Sequence, residues 1–145
     1  MQYRKFGNCG VDISRIGLGC YGMSGAYGPA DDNQSIKTIH RAMELGVNLL
    51  DTSASYGRGH NHQIIGQAIR DRRDKVFIHS KTGTVRNAEG ASVAEGSGTP
   101  ERLREVCETS LSGLGIEGLD SLCMSRIDPT VPVEESVGAM ARLVE

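Results

Sequence analysis

An α/β fold, in which crossover helices feed a parallel sheet, is predicted by three observations. Short apolar runs alternate with segments of helical period, the helical segments carry start and stop residues, and one such unit recurs about every 30 to 40 residues. The 145 residues suit a single domain, 1–145, with a core of its own. Four units can be counted. That number is half of an eight-fold (β/α) barrel, whose full length is typically ~250 residues, or else a small open sheet.

The elements follow in order. Tyr3 to Phe6 and Val11 to Ser14 flank the turn-forming Gly7-Asn8-Cys9-Gly10 and predict a short β-hairpin capping one end of the sheet. The first strand is Ile16-Gly17-Leu18-Gly19. The first helix opens at Asp31-Asp32-Asn33, whose short acceptors satisfy free backbone N–H groups, and sets Ile36, Ile39, His40 and Met43 on one stripe before Gly46 stops it. Val47 to Asp51 is the second strand. A second helix from Asn61 to Arg70 groups Ile64, Ile65, Ala68 and Ile69, and the third strand is Val76 to Lys81.

Thr82 to Gly98 is rich in Gly, Ala and Ser, has no period, and predicts a mobile loop. Thr99-Pro100-Glu101 then opens the best-marked helix, with Thr99 as N-cap and Pro100 in the first turn. Leu103, Val106, Cys107, Leu111 and Leu114 share one face, and Gly115 ends it. Ser121 to Ser125 is the fourth strand, and a fourth helix carries Val133, Val137, Met140, Ala141 and Val144.

Formal charge is −2, with acids and bases interspersed, which excludes the electrostatic footprint of a nucleic-acid or anionic-lipid binder. Aromatic content of 4% without Trp argues against base-stacking surfaces. The N-terminus lacks the apolar stretch of a signal peptide, and Cys9, Cys20, Cys107 and Cys123 form no Cys-x-x-Cys pair. These features predict a soluble cytoplasmic protein with reduced thiols. His60 and His62 have no third ligand nearby and read as a solvated helix start rather than a metal site.

The chemistry gathers at Asp51, Tyr56 and Lys81, carried by Asp51-Thr52-Ser53-Ala54-Ser55-Tyr56-Gly57 and Ser80-Lys81-Thr82-Gly83. A carboxylate, a phenol and an ammonium at the ends of successive strands are what a site needs to give a proton to a carbonyl oxygen at neutral pH. A free Tyr titrates near ~10, and a neighbouring ammonium favours its phenolate. A carboxylate beside that ammonium would keep it charged and aimed.

Through Ser14-Arg15-Ile16-Gly17-Leu18-Gly19-Cys20, Glu44 to Thr52, Tyr56-Gly57, Lys81 and Leu111-Ser112-Gly113-Leu114-Gly115, in that order, the chain resembles the N-terminal half of an aldo-keto reductase. The resemblance implies a TIM-type (β/α) barrel, of which four βα units are present, NADPH as hydride donor, and reduction of aldehydes or ketones to alcohols. It assigns Tyr56 as general acid, Lys81 as its electrostatic tuner and Asp51 as the anchor of Lys81. Cys20, Tyr21 and Asp51 become the nearest neighbours of the cofactor. Gly22 to Gly28 looks closest to the bacterial and plant-like branch that acts on small carbonyl substrates.

Two departures from the family pattern stand out. Ser125, in Cys123-Met124-Ser125-Arg126, occupies the position of the family's catalytic His, and its hydroxyl has a shorter reach than an imidazole. His79, two residues before Lys81, lies one layer deeper and is expected to serve packing. In the family the cofactor's phosphates are gripped by loops of the second half of the barrel, and no comparable cradle is present. A truncated, weakened or inactive reductase is therefore expected, with a homodimer as one way to complete the ring. A non-catalytic half-barrel module is the alternative. A doubly wound nucleotide-binding sheet is weaker, because Asp51 follows Gly17-Leu18-Gly19-Cys20-Tyr21-Gly22 later than the usual ~20 residues.

Overall fold

The computed structural model describes residues 1–145. β1 (Tyr3–Lys5) and β2 (Asp12–Ser14) pair antiparallel in the expected hairpin. The central sheet is parallel and runs in the order β3 (Leu18–Gly19), β4 (Leu49–Asp51), β5 (Phe77–Thr82) and β8 (Ser121–Met124). Between β5 and β8 lie a small hairpin, β6 (Val85–Arg86) with β7 (Ser92–Val93), and the helix α3 (Pro100–Leu114). The remaining helices are α1 (Asp32–Glu44), α2 (His60–Ile69) and α4 (Val133–Arg142).

Spatial order in the sheet equals chain order, and no strand returns to the far side of an earlier one. A doubly wound sheet requires such a reversal, so that reading is overturned, and the succession matches one arc of a (β/α) barrel. Neighbouring helices pack in the same succession, α1 on α2, α2 on α3 and α3 on α4. The outer edges of β3 and β8 each have one strand neighbour.

The core lies between sheet and helices. Leu50 and Ile78 project from the strands onto Ile39 of α1, Ile64, Ile65, Ala68 and Ile69 of α2, and Leu114 of α3. The two-residue alternation of a strand turns the next residues to the opposite, inner face: Asp51 on β4, His79 and Lys81 on β5, Ser121 and Cys123 on β8, with Asp51 opposite His79, His79 opposite Ser121, and Lys81 opposite Cys123. The inner face is thus polar.

Caps account for the helix starts. Asp31 accepts from the Gln34 N–H at 2.7 Å, and Thr99 accepts from Arg102 with Pro100 in the first turn. At the α2–α3 crossing, a Cβ added to Gly66 would lie 2.4 Å from the Leu114 carbonyl oxygen, so only Gly allows this approach. The hairpin caps the end where the strands begin. Asn48 accepts from the Ser14 N–H and donates to the Asp12 carbonyl, and Phe6 packs on Phe77 with ring centroids 4.7 Å apart.

Two expectations are corrected. The segment predicted as a featureless loop contains the β6–β7 hairpin, closed at Asn87, whose side chain accepts from the Ala91 N–H at 2.9 Å. On α4 the buried residues are Ser136 and Ala139, while Val133 and Val137 of the expected apolar stripe face outward, Val137 being 54% exposed. Small side chains let this helix sit close, with the Ser136 hydroxyl donating to the Gly98 carbonyl at 2.8 Å.

His62 is buried beneath the sheet, its Nε2 sharing a hydrogen bond with the Ser80 hydroxyl at 3.2 Å. Burial lowers its pKa from 6.5 to about 4. The unfolded chain therefore takes up a proton that the folded chain refuses, and stability falls as pH drops from about 6.5 toward 4. This contribution amounts to about 3 kcal/mol. Urea unfolding at pH 7.5 and pH 4 is expected to show that loss in the native chain and a flatter profile in His62→Gln.

Candidate active site

The functional side chains stand at the C-terminal ends of the parallel strands, where a (β/α) barrel gathers its chemistry. Lys81 Nζ donates to the Asp51 carboxylate in a short ion pair and to the Thr52 carbonyl at 3.0 Å. The same ammonium lies 5.2 Å from the centroid of the Tyr56 ring. Burial works against its charge, but the Asp51 carboxylate and the Tyr56 hydroxyl outweigh burial, so Lys81 holds its proton above the ordinary lysine value of 10.5. The three residues predicted from sequence are brought together.

Tyr56 opens a short 3₁₀ turn, Tyr56–Gly59, in which Gly57 and Arg58 both adopt left-handed backbone at φ 56°. Arg58 is the one non-glycine residue of the chain with positive φ, a conformation that costs about 1–2 kcal/mol. The Tyr56 ring packs on Tyr21 at 4.6 Å between centroids, and Tyr21 is edge-on to Tyr27 at 5.5 Å. Tyr21, 44% exposed, presents an open aromatic surface at the mouth of the site. That mouth, about 400 Å³, is bordered by Tyr21, Ser53, Tyr56, Lys81, Ser125 and Arg126 among others.

Cys20 is corrected. It was expected beside a cofactor, but its side chain is fully buried, and burial, with the Asp51 carboxylate adding to it, pushes the thiol up to about 12. Cys20 precedes the 3₁₀ turn Tyr21–Ser24 and packs into the hydrophobic core, while Tyr21 stays partly exposed. Ser125 borders the mouth, but its hydroxyl donates to the Thr82 carbonyl at 2.7 Å, so its single proton is already engaged. His79 lies below the trio, as its register requires. Its Nδ1 is 3.0 Å from the Ser121 hydroxyl and its Nε2 3.4 Å from Cys123 Sγ and 3.9 Å from the Asp51 carboxylate. Burial first, then the Lys81 charge, lower its pKa.

Sequence reasoning missed Asn61. Its fully buried amide donates to the Cys20 carbonyl at 2.7 Å and to the Ser24 hydroxyl at 2.9 Å, and accepts from the Thr52 hydroxyl at 2.7 Å. One side chain ties α2 to the segments that follow β3 and β4. Its flanking histidines point elsewhere, His60 to Asp32 at 3.0 Å and His62 to Ser80. No helix is long and apolar enough to cross a membrane.

Residues 15–145 match the model of the aldo/keto reductase family. The chain belongs to that family. Among aldo-keto reductases it is 36% identical, over its whole length, to probable aldo-keto reductase 1 of Glycine max, of which it covers 42%. The holo form of an aldo-keto reductase from Bacillus halodurans superposes with a TM-score of 0.85 at 25% identity, over 99% of this chain and 46% of that one. An aldo-keto reductase from Klebsiella pneumoniae in complex with NADPH superposes with a TM-score of 0.76 at 28% identity, over 92% of this chain and 42% of that one. The chain thus spans less than half the length of these relatives, as a partial barrel of the TIM type.

Proposed function

We propose that this chain carries the proton-donating part of an NADPH-dependent reductase that converts aldehydes or ketones to alcohols. The observation that carries the reading is the Lys81 ammonium, paired with Asp51 and facing the Tyr56 ring. In this reading the Tyr56 hydroxyl donates its proton to the carbonyl oxygen of the substrate. Lys81 stabilises the phenolate left behind, and Asp51 keeps Lys81 charged and oriented. NADPH, when bound, supplies the hydride.

The residues present fit the nicotinamide end of that cofactor. The exposed part of the Tyr21 ring offers apolar surface to a planar group, and the mouth beside it has room for one next to Tyr56 and Lys81. That a relative of similar fold is in complex with NADPH supports the same choice. Ser125, with its proton held by Thr82, would need to rotate before it could donate to substrate. A weakened activity fits that loss, since one missing donor at a developing oxyanion lowers the rate ~10² to 10³-fold.

A second reading, a non-catalytic module that pairs with another copy of itself, is favoured by the single-sided pairing of β3 and β8. One sample separates the two. Quenching of NADPH fluorescence at micromolar cofactor, with consumption on adding a reactive aldehyde, is expected of the enzyme. A dimer mass by light scattering with no binding at millimolar NADPH would instead support the module.

A further inference from the structure

Next to the mouth lies a second cleft of about 510 Å³, walled by the end of β5, the β6–β7 hairpin, the Tyr56–Gly59 turn and the first turns of α3. Its lining carries Arg58, Arg86, Arg102 and Lys81 against one carboxylate, Glu105. Glu105 is already paired with Arg102 at 2.6 Å, and Lys81 with Asp51. Arg58 and Arg86 have no carboxylate partner, so the cleft keeps an excess of positive charge in a chain whose net charge is −2.

Three further features suit the cleft to an anionic group. Arg58 is held there by the left-handed backbone described above, and such strain persists where the surroundings require it. Two of the three buried polar side-chain atoms without a hydrogen-bond partner, Thr82 Oγ1 and Arg102 Nε, belong to residues of this wall. Ser55, Lys81, Thr84, Arg86 and Ser92 line both this cleft and the catalytic mouth, so the two spaces are continuous.

We propose that the substrate is an anionic carbonyl compound, its carbonyl at Tyr56 and its carboxylate or phosphate in this cleft, held by Arg86 and Arg58 with Arg102 at the far wall. The proposal rests on the reductase reading and names its substrate class. Forked guanidinium donors suit such groups, and the uneven charge raises the local concentration of anions.

The test measures binding without cofactor, by calorimetry at low salt, of 4-formylbenzoate and its uncharged methyl ester. The acid is expected to bind at least about tenfold more tightly, as one charge-assisted hydrogen bond implies. That preference is expected to fall toward unity in Arg86→Gln and in the Arg58→Gln/Arg86→Gln pair. It should persist in Arg41→Gln, whose guanidinium pairs with Glu44 on α1. Equal binding of acid and ester overturns the proposal. So does a preference that survives in the double variant and vanishes in Lys81→Met, which would place the anion on the catalytic ammonium.

Inorganic pyrophosphate, in a separate titration, tests the cofactor's phosphates as the other source of the anion. Binding of pyrophosphate that depends on Arg86 and does not compete with 4-formylbenzoate also overturns the substrate assignment. Reduction of the methyl ester with NADPH reports on the reductase reading separately, so each can fail without the other.

Discussion

Tyr56→Phe is expected to lower NADPH-dependent reduction of an aldehyde by about 10² to 10⁴-fold, the usual worth of a positioned proton donor. The loss should fall on kcat, because the ring that packs on Tyr21 at 4.6 Å remains and only the hydroxyl is gone. Cofactor binding, followed by quenching of NADPH fluorescence, should change little. Turnover within threefold of the native chain would remove Tyr56 from the reaction and with it the reductase reading in its present form.

Asp51→Asn is expected to reduce turnover by about 10² to 10³-fold, since it takes the counter-charge from an ammonium that must stabilise a phenolate. The pH dependence gives the mechanism away. In the native chain Lys81 is held above 10.5 by Asp51 and Tyr56 in spite of burial. Without the carboxylate, burial acts with less opposition and the Lys81 pKa falls. The alkaline limb of the rate profile should therefore move to lower pH in Asp51→Asn.

Stability follows the same sign. A folded-state pKa raised above the unfolded value contributes stability that is fully present below 10.5 and is lost as pH rises through the folded value. The variant should have lost that contribution already at neutral pH. A rate profile that differs from the native one only in height would mean that Asp51 does not act through Lys81.

Much of the fold was legible because βα units leave strong local marks. The stripe of Ile64, Ile65, Ala68 and Ile69, and the Thr99-Pro100 start with Gly115 beyond the end, are set by neighbours within a few residues, and both helices stand within a residue or two of where they were expected. The trio was legible for a related reason. Residues that close consecutive parallel strands reach the same rim, so Asp51 and Lys81 had to meet once β4 and β5 paired.

What escaped depends on contacts between distant segments. β6 and β7 have two residues each, too few for an alternation to be seen. The direction of the Ser125 proton is decided by the Thr82 carbonyl, forty-three positions away in sequence. Asn61 gives no pattern at all, since its partners Cys20, Ser24 and Thr52 come together only after folding. The face that α4 buries is chosen by fit against Gly98, and its hydrophobic periodicity pointed to the other side.

The Asn61 amide has a kinetic consequence. Because a single fully enclosed side chain fastens both rim segments to α2, neither can lift away without stranding a buried donor or acceptor of the Asn61 amide. Excursions of the rim should accordingly be all-or-none events, with the amide hydrogens on either side of the clamp exchanging with solvent at one common rate.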